Sequence, residues 1–167
     1  MGGQALQALA GRVGERLQAR GLFLATAESC TGGWIAKVIT DVPGASGWFE
    51  RGFVTYTNQA KTEMLGVPTI FFERHGAVSL PVVMAMAGGA LVHSRAQVAV
   101  AVSGIAGPSG GTPEKPVGTV CFGWAWGDHF RWADRQHFQG DREAIRRQAV
   151  VWALQGIEAL LLGWRKT

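Results

Sequence analysis

Three short stretches of this chain hold residue types that can do chemistry together. The first is Ala27-Glu28-Ser29-Cys30-Thr31-Gly32-Gly33. Two glycines let a ligand approach the backbone closely, and free N–H groups at the start of a helix hold an anion or the oxyanion of an attacked carbonyl. Ser29 is therefore a candidate nucleophile. A serine at a strand-to-helix turn more often caps the helix, and spacing alone favours that use. Cys30 would gain a lowered pKa from a helix N-terminus, but without a matched histidine it ranks behind Ser29.

A serine needs a base. The four histidines, His75, His93, His129 and His137, follow no triad order, and each reads as a surface or packing residue. The second stretch, Tyr56-Thr57-Asn58-Gln59-Ala60-Lys61, offers another route. A lysine whose charge is disfavoured by burial serves as a base near neutral pH, with Tyr56 relaying the proton or orienting the amine. The competing reading makes Tyr56 a strand-end aromatic and Lys61 an exposed helix residue. Which of Lys61 and Tyr56 takes the serine proton stays open.

The third stretch runs from Ser103 to Thr112 and is rich in glycine and hydroxyls. Its backbone donors suit a phosphate or ribose, and Gly104, Ile105, Ala106, Gly107 and Thr112 are its candidate binding residues. It lacks the GxxxxGK[ST] pattern, so a P-loop is excluded. The alternative is a structural loop that uses glycine for positive φ angles. Further on, Asp141 suits a helix N-cap, and Arg142 could grip a phosphate bidentately or stand as a surface arginine.

The elements that would position these residues follow from periodicity. Leu6, Leu9, Val13 and Leu17 mark an amphipathic helix closed near Gly21. Leu22–Ala27 reads as a buried strand and 31–40 as a helix. Phe49–Tyr56 is aromatic and β-branched, hence a strand, and Asn58 could cap a short helix reaching Leu65. Pro68 and Gly76 bracket a loop. Ser79 and Pro81 open an alanine- and methionine-rich helix to about Arg95. Val98–Val102 is apolar throughout, as a central strand buried on both faces requires. Val117–Trp126 and Phe130–Phe138 flank Gly127-Asp128 as a hairpin, and 140–162 is a long final helix. The sum is an α/β chain: one three-layer α/β/α domain with a mixed, partly parallel sheet of about five strands.

Composition narrows the class. The 167 residues fit one domain, and 47% hydrophobic against 17% charged content leaves enough apolar area to fold. Charged residues such as Glu28, Lys37, Arg51, Arg95 and Asp134 break every apolar run before the roughly 20 residues a bilayer span needs. No signal-peptide pattern opens the chain. Cys30 and Cys121 lack CxxC spacing, which argues against both a disulfide framework and a zinc site; the cytoplasm is the default compartment. A net charge of +4 invites a nucleic-acid reading, but only Arg142, Arg146 and Arg147 cluster, and they read as a solvated helix face. Seven tryptophans and the apolar helix after Ser79 point to a homo-oligomer contact.

Taken together, AESCTGG (27–33), YTNQAK (56–61), LGV (65–67), HGAVS (75–79), SGIAGPSGGT (103–112) and KPVGTV (115–120) resemble the CinA C-terminal-domain family over essentially the whole chain. That family includes nicotinamide-nucleotide amidases. The resemblance implies hydrolysis of the carboxamide of nicotinamide mononucleotide, with no metal or organic cofactor, in pyridine nucleotide recycling. It implies Ser29, Tyr56 and Lys61 as catalytic residues. Substrate binding would fall to Cys30, Thr31, Gly32, Gly33, Gly104, Ile105, Ala106, Gly107, Thr112 and Arg142. The partner is then a small nucleotide, not nucleic acid or membrane. The segment Leu80-Pro81-Val82-Val83-Met84 departs from the pattern in being more apolar, which suggests altered surface packing or a subunit contact. The rival reading is a noncatalytic nucleotide-binding module, which would not need the Ser29, Tyr56 and Lys61 set.

Overall fold

The computed structural model describes residues 1–128 and 130–163; the reading of His129 lies outside the described residues. Five strands, β1 (Leu24–Glu28), β2 (Phe49–Val54), β3 (Val98–Gly104), β4 (Thr119–Trp126) and β5 (Phe130–His137), form one sheet in the order β2-β1-β3-β4-β5 among the described residues. β2, β1 and β3 run parallel, while β4 and β5 pair antiparallel as the expected hairpin. The helices are α1 (Gly3–Ala19), α2 (Trp34–Thr40), α3 (Asn58–Leu65), α4 (Thr69–His75), α5 (Leu80–Val92) and α6 (Arg142–Leu161). This is the three-layer α/β/α arrangement with a mixed sheet.

Strand alternation divides the core into two unequal halves. Leu24, Val98, Val100, Val102, Val120, Phe122 and Trp124 meet α1, α2 and α6 on one face. Ala25, Ala27, Ala99, Ala101, Cys121 and Ala125 meet α5 on the other. The small-residue face lets α5 lie close: a Cβ on Gly123 would stand 2.5 Å from the Val83 carbonyl oxygen. On the large-residue face the small residue belongs to the helix, since a Cβ on Gly156 would meet the Trp124 indole at 2.2 Å.

Several expectations need correction. The stretch 68–76 is not a loop but contains α4, which starts after Pro68 and stops at Gly76, where φ is +77°. Phe71 and Phe72 pack it onto the α5 side of the core, so tertiary burial stabilises a helix too short to show a period. The cap of α3 is Thr57, whose hydroxyl accepts from the Ala60 amide at 3.0 Å, and not Asn58. Trp124 serves the interior: it is fully buried, stacks on Trp132 at 4.1 Å and donates to the Ala153 carbonyl at 3.1 Å. Val82 and Val83 are likewise fully buried, so the apolar start of α5 packs against the sheet. Among the described residues, no helix is long and apolar enough to cross a membrane.

Candidate active site

The parallel register brings β1 and β3 to the same level, Glu28 opposite Val102, so Ser29 and Ser103 leave neighbouring strands side by side. Ser29 is tied to the sheet by its amide, which donates to the Val102 carbonyl at 3.0 Å. It does not cap α2. The residue before it does: the Glu28 carboxylate, 1% exposed, accepts from the Ile35 amide at 2.8 Å, the Ala36 amide at 3.0 Å and the Thr31 hydroxyl at 2.6 Å. The negative charge sits at the positive end of the helix. The Ser29 hydroxyl is thereby released from capping.

The second side chain arrives from α3. β2 ends at Val54, two residues before the expected Tyr56, and the chain turns so that the Thr55 and Tyr56 carbonyls face Lys61. Lys61 Nζ donates to Thr55 O at 3.0 Å, to Tyr56 O at 3.1 Å and to Ser29 Oγ at 2.9 Å. Lys61 is 1% exposed. No carboxylate offsets its charge in these contacts, and burial pulls its pKa down to about 8. When the amine is neutral it keeps two N–H donors for the two carbonyls, and its lone pair faces Ser29 Oγ. The arrangement can take the serine proton.

Tyr56 enters this group through its backbone. Its phenol is exposed and accepts from Arg142 Nη2 at 3.2 Å, and Arg142 Nη1 donates to the Gly107 carbonyl at 2.8 Å. Cys30 is buried beside Ser29, and burial pushes its thiol up to about 12, against smaller opposing pulls from its own backbone N–H and the Arg146 charge. The expected lowering by a helix terminus is therefore reversed, because burial of the thiol outweighs every nearby group that would favour the thiolate.

Ser29, Cys30, Tyr56, Lys61, Gly104, Ala106 and Arg142 line a cleft of about 210 Å³ together with Asn58, Ala77, Val78 and Ser103. Ile105, Gly107 and Thr112 do not line it. The Ile105 amide and carbonyl pair with Thr119 and Gly118, and Thr112 pairs with Lys115 through both its amide and its hydroxyl. Thr31, Gly32 and Gly33 stand behind Cys30, and the Gly32 amide closes a turn onto the Ser29 carbonyl at 3.1 Å. Sequence reasoning missed four of the lining residues as site residues. Ala77 and Val78 lie within HGAVS and Ser103 heads the glycine-rich stretch, so the motifs held them without singling them out. Asn58 was assigned to a cap.

The arginine cluster is also corrected. Arg146 is not on a solvated face: its Nε donates to the Cys30 carbonyl at 2.9 Å and its Nη2 to the Thr31 carbonyl at 3.3 Å. Arg147 lies over Trp34 at 5.0 Å. Among the described residues, no group of three or more His, Cys, Asp and Glu stands where it could hold a metal ion.

A family model described as the CinA C-terminal domain matches residues 6–161. The chain is 59% identical over 152 residues to the nicotinamide-nucleotide amidohydrolase PncC of Shigella flexneri, covering 90% of this chain and 91% of that protein. It is 61% identical over 136 residues to a CinA-like protein of Akkermansia muciniphila, covering 81% of this chain and 33% of the longer relative. The crystal structure of competence/damage inducible protein CihA from Agrobacterium tumefaciens superposes with a TM-score of 0.91 at 44% identity, covering 96% of both chains.

Proposed function

Since this chain belongs to the CinA C-terminal domain family, we propose that it hydrolyses the carboxamide of nicotinamide mononucleotide to nicotinic acid mononucleotide and ammonia. Relatives with this amidohydrolase name support the substrate class. The observation that carries the mechanism is the buried contact of Lys61 Nζ with Ser29 Oγ at 2.9 Å.

Neutral Lys61 takes the Ser29 proton as Oγ bonds to the carboxamide carbon, and the carbonyl π pair moves onto oxygen. Backbone N–H groups of the turn after Ser29 hold that oxyanion. The Lys61 ammonium then protonates the amide nitrogen, the C–N bond breaks, and ammonia leaves an acyl-Ser29 ester. A water, deprotonated by the regenerated amine, attacks the ester carbon; the C–Oγ bond breaks, Lys61 returns the proton to Ser29 Oγ, and the acid leaves. With its pKa near 8, roughly a tenth of Lys61 is neutral at pH 7. The phenol of Tyr56 is turned to Arg142, which favours Lys61 as the base and leaves Tyr56 to orient the amine through its carbonyl. Arg142, Gly104 and Ala106 flank the nucleotide side of the cleft, with Arg142 toward the phosphate. Such a step returns nicotinamide nucleotides to the acid form for reuse.

The test is ammonia release from nicotinamide mononucleotide by wild type, Ser29→Ala and Cys30→Ala. Release abolished in Ser29→Ala and retained in Cys30→Ala is the expected result. An inactive wild type that still binds the nucleotide would replace the amidase with a binding module.

A further inference from the structure

The turn that presents Ser29 is held from two opposite sides. Its donors go inward to one carboxylate, since the Thr31 hydroxyl and the Ile35 and Ala36 amides all serve Glu28. Its acceptors go outward to one guanidinium, since Arg146 donates to the carbonyls of both Cys30 and Thr31. Arg146 comes from α6, one turn after Arg142 and 115 positions or more along the chain from its acceptors. It lies 5.6 Å from the Trp34 ring centroid, and its Nη2 is 3.3 Å from where a Cβ on Gly32 would stand. Gly32 has φ of +60°, so the guanidinium covers a position that only glycine fills without strain.

These contacts fix the directions of two peptide units. In a trans peptide the C=O and the following N–H point in opposite directions. With the Thr31 carbonyl held by Arg146, the Gly32 amide is turned away from it, and that amide indeed closes the turn onto Ser29 O. With the Cys30 carbonyl held, the Thr31 amide must also point away from Arg146. The backbone next to the nucleophile is thus fixed from both sides, the Cys30 and Thr31 carbonyls by Arg146 and the Gly32 amide by the Ser29 carbonyl.

We infer that Arg146 is a positioning residue for acyl transfer at Ser29: by gripping the Cys30 and Thr31 carbonyls it holds the backbone that carries the nucleophile in place against Lys61. This rests on the serine amidase reading above. Arg146 does not line the cleft, whereas Arg142 does, so two arginines one turn apart divide the work. Arg142 acts on substrate binding and Arg146 on turnover. A lysine cannot replace the guanidinium, because a single ammonium does not present two donors in a fixed fork to two carbonyls.

The experiment compares wild type with Arg146→Ala, Arg146→Gln and Arg146→Lys. It reads kcat and KM for nicotinamide mononucleotide, melting temperature, and the rate at which a fluorophosphonate labels Ser29. Loss of a fixed nucleophile predicts that kcat of Arg146→Ala falls about 30-fold or more while KM stays within about threefold. Labelling should slow in parallel, and added guanidinium should restore part of kcat in Arg146→Ala without accelerating wild type. A folded Arg146→Ala with kcat and labelling within threefold of wild type overturns the inference, as does a loss confined to melting temperature. If Arg146→Ala does not fold, Arg146→Gln, which keeps one donor group, is judged by the same criteria. Should wild type label at Ser29 yet leave nicotinamide mononucleotide intact, the substrate reading fails and the labelling series alone decides the role of Arg146. A wild type that neither hydrolyses nor labels overturns both.

Discussion

Two glycine-bearing segments leave the same end of the sheet from adjacent parallel strands, and they behave differently. The turn at 29–33 follows β1 and is buried from Ser29 to Thr31, with Glu28 taking the Thr31 hydroxyl and Arg146 the Cys30 and Thr31 carbonyls. The loop from Gly104 to Thr112 follows β3, and after Ala106 and Gly107 it is exposed and closes on itself through Thr112 and Lys115. From sequence alone the second segment, with its several glycines, promised the more ligand contacts. Each reaches the cleft through two residues, Ser29 and Cys30 from the first and Gly104 and Ala106 from the second, but only the first brings a hydroxyl against the buried Lys61 amine. Glycines at a strand end let a ligand approach, but chemistry needs polar groups that are buried and held in one orientation.

The sharpest way to break this contrast is at Lys61. Its aliphatic length and buried amine make Lys61→Met the closest apolar replacement, and Lys61→Arg keeps the cation but cannot give up its proton near neutrality. Both should lower kcat by about 10³-fold or more, because the serine then has no base. Wild-type kcat should rise with pH as the amine loses its proton and level off above about 8, where burial has brought the Lys61 pKa. The sign follows from the role: a base works only deprotonated, and its folded pKa lies below the ordinary lysine value. A kcat flat from pH 6 to 9 would remove Lys61 from the proton transfer.

A smaller effect belongs to Arg142, which lines the cleft and ties the second segment to the Tyr56 phenol through its bond to the Gly107 carbonyl. Arg142→Ala should raise KM for nicotinamide mononucleotide by about 10- to 100-fold, the worth of a charge-assisted phosphate contact, and change kcat little. Free nicotinamide, lacking the phosphate, should show no such change. Equal losses on both substrates would mean that Arg142 supports the cleft wall instead of the nucleotide.

Much of this was legible before any coordinates. The unbroken Val98–Val102 run marked a strand buried on both faces, and the 3.6-residue spacing of Leu6, Leu9, Val13 and Leu17 marked α1, because burial there is repeated over many residues. The residues of the buried Ser29–Lys61 contact were legible too, through the combined motifs. The helix α4 was not, since seven residues hold less than two full turns and its Phe71 and Phe72 find partners only in the folded chain. Arg146 was hidden for a related reason. Nothing local distinguishes it from Arg147, and its acceptors lie more than a hundred positions away. Capping misled in the same way: Ser29 fits a local rule, but a carboxylate one residue earlier on the strand satisfies the helix first.

Thr112 supplies the last and smallest test. Its hydroxyl accepts from the Lys115 amide at 3.0 Å while its own amide donates to the Lys115 carbonyl at 2.9 Å, which makes it the clasp of an exposed turn. A clasp in solvent is replaceable by water, so Thr112→Ala should alter stability by less than about 1 kcal/mol in urea unfolding. KM and kcat should both stay within about twofold. A tenfold rise in KM would mean that this loop folds over the bound nucleotide, and the division between a committed turn and a self-contained loop would fail.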